Sequence, residues 1–227
     1  SKPLDPDKVT FIQCTVGKIL YYARAVDLTM LHAINDISLS ASKGTEATLT
    51  ATTHLLNYAH THPNAELIYR ASDMILCVDS DAAYLVAPEA RSRAGGYHYV
   101  SNTAKTLYNG PILVLAKVIK NVMVSATEAE LGALFMNAQE AVALRNCLKA
   151  MGFPQPATPI KTDNAAAQGI LNNTMKQKRS KAIDVRFYWL CDRAQQGQFF
   201  IYWESGDSNW ADYFTKHHPA SHVKKVR

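Results

Sequence analysis

Four carboxylates are the residues of this sequence whose types and spacing could do chemistry: Asp81, Glu130, Asp163 and Asp212. Each lies at the edge of a segment that the sequence pattern predicts to be regular structure. A fold that brings those edges together would place several negative charges in one pocket. Such charges repel one another strongly unless a cation lies between them, and hard oxygen ligands favour Mg²⁺ or Mn²⁺. The order of these residues therefore predicts a divalent-cation site.

Composition sets only broad limits on the kind of protein. The 227 residues are 48% hydrophobic, which allows a buried core in one domain or in a domain with a smaller appendage. The net charge of +5 fits a polyanionic partner and an ordinary basic surface equally well. The four cysteines are too scattered for structural zinc or a redox pair, so we expect reduced core thiols. Without a long apolar run or a signal peptide, we expect no membrane contact and an intracellular location.

The first sixty residues have the periodicity of helices. Apolar residues between Phe11 and His62 recur at spacings that form helical faces. A third helix is predicted to begin at Thr45, which can cap it, and to end before Pro63. This part of the chain is therefore predicted to be a small all-helical unit.

After Pro63 the apolar period changes to two, which is typical of strands. Glu66–Arg70 and Met74–Val78 are predicted to form a strand pair. Gly95–Val100 and Ile112–Ile119 are predicted as two further strands, so the second unit should begin with an antiparallel meander.

Ser125 can cap a helix that carries Glu130 and ends near Gly152 and Pro154. The remaining elements are predicted in this order: a strand at 160–162 that leads into Asp163, a helix at 164–171, a helix from Ile183, a strand at 199–204, and a last helix that carries Asp212 behind a cap at Asp207 or Ser208. This order of elements predicts an α/β fold around a mixed sheet.

Five local strings resemble the ribonuclease H domain of copia-type LTR retrotransposon Pol polyproteins. The first is Ser80-Asp81-Ala82, which is followed at the matching distance by residues 91–97. The other four are Ser125 to Leu131, Thr162-Asp163-Asn164, Ile183 to Arg186, and Ala211 to Lys216. The helical segment before them is similar to the thumb-like end of the reverse transcriptase region. The resemblance divides the chain into residues 1–63, thumb-like, and residues 64–227, ribonuclease H-like. The metal-binding motif of the polymerase is absent, so this chain alone should not synthesise DNA.

The resemblance implies a ribonuclease H-like fold, with a mixed five-stranded sheet flanked by helices. It implies hydrolysis of the RNA strand of RNA/DNA hybrids with two Mg²⁺ ions, for which Mn²⁺ can substitute. Asp81 would bridge both ions, Glu130 and Asp163 would complete one coordination shell, and Asp212 would hold the other ion. The implied partners are the hybrid and the polymerase subdomains of reverse transcriptase, in a cytoplasmic particle or the nucleus.

Each ligand assignment has a structural alternative. Asp79 lies two residues before Asp81 and shares its strand face, so alternation cannot choose between them; only the spacing to the 91–97 string favours Asp81. Asp163 could instead cap the next helix, and Asp212 could be a solvated surface charge. Glu128 is the alternative to Glu130. It is interpreted as a charge at a helix N-terminus, because only Glu130 matches the second Glu of the resembling string.

A basic run follows the third carboxylate and suits contacts to phosphates, although a solvated loop explains its charge equally well: Lys176, Lys178, Arg179 and Lys181. His217, His218 and His222 could ligate a metal, but they lack a further ligand at a suitable spacing, so a flexible C-terminal segment is expected.

Two other functions remain open. An integrase or transposase would carry its Glu late in the sequence, whereas Glu130 comes second here. A connection-like module would bind nucleic acid without cutting it.

Overall fold

A computed structural model describes residues 3–171 and 184–219, together with 221 and 223. Contacts divide the chain into two units. The first contains the described residues up to Leu67 and those from His217 onward, and the second runs from Ile68 to Lys216. The predicted boundary after Pro63 falls four residues before this division, and the prediction assigned the residues from His217 to the second unit.

Three helices form the first unit: α1 (Pro6–Ala25), α2 (Leu31–Ser40) and α3 (Glu46–Thr61). Helix α3 begins where its sequence predicts, because the Thr45 side chain accepts a hydrogen bond from the Thr48 amide. Each helix packs against the other two. Their shared core contains Ile12, Ala23, Leu31, Ile34 and Leu55, all at most 5% exposed.

The second unit is built on one mixed five-stranded sheet, as expected. Its strands are β1 (Ile75–Ala87), β2 (Arg91–Ser101), β3 (Leu113–Val118), β4 (Thr158–Thr162) and β5 (Phe199–Trp203). The strand order is β3-β2-β1-β4-β5, with antiparallel β1–β2 and β2–β3 pairs and parallel β1–β4 and β4–β5 pairs. Its helices are α4 (Ala126–Ala150), α5 (Ala165–Leu171) and α6 (Asp184–Gln195).

The alternation of β1 separates the core from the acidic residues. Leu76 and Val78 pack into the main core with residues of α4, α5 and α6. Asp79 and Asp81 alternate with them and therefore lie on the other face. A short 3₁₀ helix, Trp210–Phe214, packs on that face: the Trp210 amide donates to Asp79 and the Thr215 hydroxyl donates to Asp81.

The predicted strand pair of Glu66–Arg70 with Met74–Val78 is wrong. Residues 62–74 contain no strand, and β1 instead forms a hairpin with β2 through Pro88–Ala90. The Arg70 backbone is hydrogen-bonded by the Asn109 side chain, which accepts from its amide at 2.8 Å and donates to its carbonyl at 3.0 Å. A side-chain amide thus satisfies a backbone that the alternating pattern had assigned to a ladder.

Two smaller expectations are also corrected. Asp212 lies in the five-residue 3₁₀ helix and not in an α-helix, and the capping side chain is that of Asn209, which accepts from the Ala211 amide at 3.1 Å. The cysteines are not all core thiols, since Cys14 and Cys147 are exposed. None of the described helices combines the length and the apolar character needed to cross a membrane.

Candidate metal centre

Three of the four predicted carboxylates converge in the second unit. Asp81, Glu130 and Asp163 each offer an oxygen, and these atoms lie within 4.8 Å of one another. They come from three separate elements: the middle of β1, the first turns of α4, and the residue that follows β4. The parallel β1–β4 pairing, with Asp79 opposite Lys161, brings Asp81 and Asp163 to the same end of the sheet.

Local hydrogen bonds hold two of these side chains in place. Oε1 of Glu130 accepts from the backbone amide of Ala82 at 3.2 Å, which ties α4 to β1 beside Asp81. Oδ2 of Asp81 accepts from the Thr215 hydroxyl. Both side chains are buried, with 6% exposure for Glu130 and 1% for Asp81. The carboxylates are therefore fixed by neighbours that the linear spacing does not reveal.

The pocket disfavours negative charge when it holds no cation. Burial, followed by the charges of Asp81 and Asp163, raises the pKa of Glu130 to about 9. Burial also raises the pKa of Asp81, and the charges of Asp212 and Asp163 add to this effect, while the hydrogen bond from Thr215 opposes it. A divalent cation would reverse these shifts, because it favours the ionised form of each ligand.

One buried oxygen of the pocket also lacks a partner. Oε2 of Glu130 is inaccessible to solvent, and no donor within the described part of the chain reaches it. Buried polar atoms are nearly always hydrogen-bonded or liganded, so an unpaired carboxylate oxygen beside two further carboxylates fits a cation. The all-oxygen donor set suits Mg²⁺ or Mn²⁺.

Asp212 lies near the pocket but outside this group of three. Its charge contributes to the raised pKa of Asp81, and its side chain is 22% exposed, so it is not a fully solvated surface charge. Oδ1 of Asp212 accepts from the ammonium group of Lys216, one turn further along the chain. Burial alone would lower the pKa of Lys216, but Asp212 and Asp81 outweigh it and raise that pKa. The fourth carboxylate therefore already has a cationic neighbour.

The structure gives Asp79 an ion-pair partner. Its Oδ2 lies 3.0 Å from Nζ of Lys161, which is itself fully buried and also contacts the hydroxyl of Tyr108 and the carbonyl of Ser208. Burial raises the pKa of Asp79 to about 6, and Lys161 opposes that shift. Asp79 thus has a structural partner, whereas Asp81 lies among other carboxylates.

The observed hydrogen bonds bear on two alternative roles: Asp163 as a helix cap, and Glu128 as a charge at a helix N-terminus. The capping hydrogen bond of α5 is made by Asn164, whose Oδ1 accepts from the Ala167 amide at 2.9 Å. Glu128 lies in the first turn of α4 and accepts from the Val124 amide at 2.7 Å.

The basic residues Lys176, Lys178, Arg179 and Lys181 fall outside the described residues.

Two glycines permit the close packing around the pocket. A Cβ atom on Gly95, which pairs with Asp81, would lie 2.4 Å from the Ala211 carbonyl oxygen and 2.7 Å from the Thr215 side chain. A Cβ atom on Gly206 would lie 2.9 Å from Oδ2 of Asp163. Gly95, Thr215 and Lys216 belong to the motif strings, but their positions in the sequence predicted no role for any of them. Their roles depend on contacts across the sheet.

Comparisons with known proteins agree with this architecture, although no protein-family model matches the chain. Over 201 residues, 88% of its length, the chain is 26% identical to the retrovirus-related Pol polyprotein from transposon TNT 1-94 of Nicotiana tabacum. It spans 15% of the length of that polyprotein.

Two solved structures are similar in fold. The foamy viral protease-reverse transcriptase in complex with dsDNA aligns over 89% of this chain and 42% of that chain, with a TM-score of 0.50 and 13% identity. LC11-RNase H1, isolated from compost, aligns over 67% of this chain and 97% of that chain, with a TM-score of 0.47 and 10% identity. The strand order and the flanking helices therefore show a ribonuclease H-like fold, in a chain whose sequence is similar to part of a retrotransposon Pol polyprotein.

Proposed function

We propose that this chain is the ribonuclease H part of a copia-type retrotransposon reverse transcriptase and that it hydrolyses the RNA strand of RNA/DNA hybrids. The observation that carries the proposal is the convergence of Asp81, Glu130 and Asp163 in one buried pocket. Such a cluster is costly for a protein unless it serves a cation. The helical unit would be the thumb-like segment that joins the nuclease to the polymerase subdomains.

In this proposal the four carboxylates hold two Mg²⁺ ions. Asp81 would lie between both ions, Glu130 and Asp163 would complete the shell of one, and Asp212 would hold the other after its carboxylate leaves Lys216. When bound, the ions would supply activation of a water and neutralisation of charge on the phosphodiester and the leaving oxygen.

The residues around the ligands limit how the pocket can move. Thr215 orients Asp81 through its hydroxyl, and the Ala82 amide fixes one oxygen of Glu130. Hydrolysis adds the water oxygen to phosphorus and breaks the bond to the 3′ oxygen. The products would therefore carry 5′-phosphate and 3′-hydroxyl ends. The basic run from Lys176 to Lys181 would contact phosphates without reading sequence.

The test is cleavage of a labelled RNA/DNA hybrid by the purified chain with Mg²⁺, with duplex DNA as the second substrate. We expect the RNA strand to be cut and duplex DNA to be spared. Asp81→Asn should abolish cleavage and leave hybrid binding unchanged or tighter, because a negative charge is removed. Asp207→Asn is the matched control, since Asp207 is an exposed carboxylate in the neighbouring short 3₁₀ helix Gly206–Ser208.

Equal activity of the wild type and Asp81→Asn would contradict the assignment and indicate a contaminant or a different site. Binding of the hybrid by the wild type without any cleavage would instead support the connection-like module. Cleavage of duplex DNA in preference to the hybrid would favour the integrase or transposase class.

A further inference from the structure

The helical unit contains a second group of potential metal ligands, of different chemistry from the carboxylate pocket. His32 and Asp36 lie one turn apart on α2, and His217 lies beside them. Nε2 of His217 is 2.8 Å from Oδ2 of Asp36, and Nε2 of His32 is 3.6 Å from the same oxygen. The two imidazole rings meet edge to face, with centroids 4.1 Å apart. All three side chains therefore point toward one small volume.

The distances between these atoms suit a tetrahedral ion. With metal–nitrogen and metal–oxygen distances of about 2.0–2.2 Å, neighbouring ligand atoms of a tetrahedral zinc site lie about 3.3–3.6 Å apart. Nε2 of His32, 3.6 Å from Oδ2 of Asp36, already has this spacing. Nε2 of His217, at 2.8 Å, would have to move outward by roughly half an ångström to accommodate the ion. Residues four apart on a helix share one face, which allows His32 and Asp36 to act on the same ion.

The donor set selects a different class of metal from the carboxylate pocket. Two imidazoles with one carboxylate are ligands for Zn²⁺ and related transition metals, whereas Mg²⁺ prefers oxygen alone. We propose that His32, Asp36 and His217 form a Zn²⁺ site in the helical unit. Nothing in this proposal depends on the nuclease function.

A cavity of about 400 Å³ adjoins the site, and both Asp36 and His217 line it. Its other lining side chains are mostly apolar, among them Met30, Ile37 and Leu55. Three protein ligands, two of which line the cavity, leave a fourth coordination position for water or another small donor, as in zinc sites that exchange ligands. The ion would also cross-link His217 to α2, at a sequence separation of 181 residues from Asp36. The bound metal would therefore stabilise the packing of His217 on the helices.

The test is Zn²⁺ and Co²⁺ binding to the full chain, prepared without a histidine tag and kept in excess Mg²⁺ to occupy the carboxylate pocket. We expect one Zn²⁺ per chain by calorimetry, and a visible d–d absorption of four-coordinate Co²⁺ that Zn²⁺ abolishes. Removing even an outer-shell partner typically weakens metal binding by about 10–100-fold, so loss of a ligand should weaken it by at least about 100-fold.

His217→Gln is the decisive variant, because His217 is 72% exposed and its replacement should leave the fold intact. Asp36→Asn should have the same effect on metal binding. His60→Gln is the matched control, since His60 is exposed on α3 and lies outside the group. Absence of metal uptake by the wild type, or unchanged Zn²⁺ affinity in His217→Gln, would overturn the proposal and leave only a His217–Asp36 ion pair.

Discussion

At the scale of single residues, two aspartates on one strand face have different surroundings. Asp79 is paired with a buried lysine, and Asp81 lies among carboxylates. Strand alternation could not separate them, because they share a strand face and their partners lie far away in the chain; only the spacing to the 91–97 string favoured Asp81. Lys161 is 82 residues from Asp79, and the pairing depends on the parallel β1–β4 register.

The different surroundings predict opposite effects of two similar substitutions. Asp79→Asn removes the charge that compensates Lys161 and should lower the free energy of unfolding by about 3–5 kcal/mol, as when one partner of a buried ion pair is lost. Asp81→Asn should leave stability unchanged or improved, because it relieves repulsion in the carboxylate pocket. Urea unfolding of both variants without divalent cations measures the difference.

The same two variants also test the open choice between these residues as ligand. A stable Asp79→Asn protein without nuclease activity, together with an active Asp81→Asn protein, would reverse the assignment. Asp207→Asn provides the baseline for losing an exposed carboxylate.

At the scale of elements, the position of the Trp210–Phe214 helix depends on the absence of a side chain at Gly95. Gly95→Ala should push the Ala211 carbonyl and Thr215 away from β2 and break the hydrogen bond from Thr215 to Asp81. We expect a loss of about 1–3 kcal/mol of stability, the usual cost of overpacking. Nuclease activity should fall by more than tenfold. Thermal unfolding and the hybrid cleavage assay measure the two effects.

Gly17→Ala is the matched control for that substitution, because a Cβ atom there meets nothing within 4 Å. Gly17 lies inside α1, so the change should stabilise the protein by up to about 1 kcal/mol. An active, fully stable Gly95→Ala protein would show that the 3₁₀ helix tolerates displacement.

Local patterns predicted most of the elements correctly. The periodicity and caps of the sequence indicated β2, β3, α4, β4 and β5 and the three helices of the first unit, because these segments follow the rules of amphipathic or buried structure. The Glu66–Arg70 prediction failed because residues 62–74 contain no strand and the Asn109 side chain takes up the hydrogen bonds of the Arg70 backbone. The long β1 was underestimated because Asp79, Ser80 and Asp81 are atypical of a strand interior.

At the scale of the whole molecule, the carboxylate pocket should make stability depend on divalent cations. A ligand that binds only the folded state at 100 times its dissociation constant contributes about 2.7 kcal/mol. For a chain of this size, that corresponds to a rise of about 5–10 °C in Tm. Saturating Mg²⁺ should therefore raise the Tm measured by circular dichroism, and EDTA should restore the lower value.

The increase should vanish in Asp81→Asn and persist in Asp207→Asn. An equal Mg²⁺ effect in all three proteins would indicate nonspecific binding of the cation. The analogous experiment with Zn²⁺ tests the proposed site at His32, Asp36 and His217, and its expected sensitivity to His217→Gln distinguishes it from the carboxylate pocket.

Lys216 gives the acidic pocket a tethered counter-ion. Its ammonium group cannot diffuse away, so part of the pocket's negative charge is balanced whenever the unit is folded. We therefore expect the unit to keep its fold at low magnesium concentrations. A metal ion that bound at Asp212, as proposed, would have to displace the chain's own cation from that carboxylate.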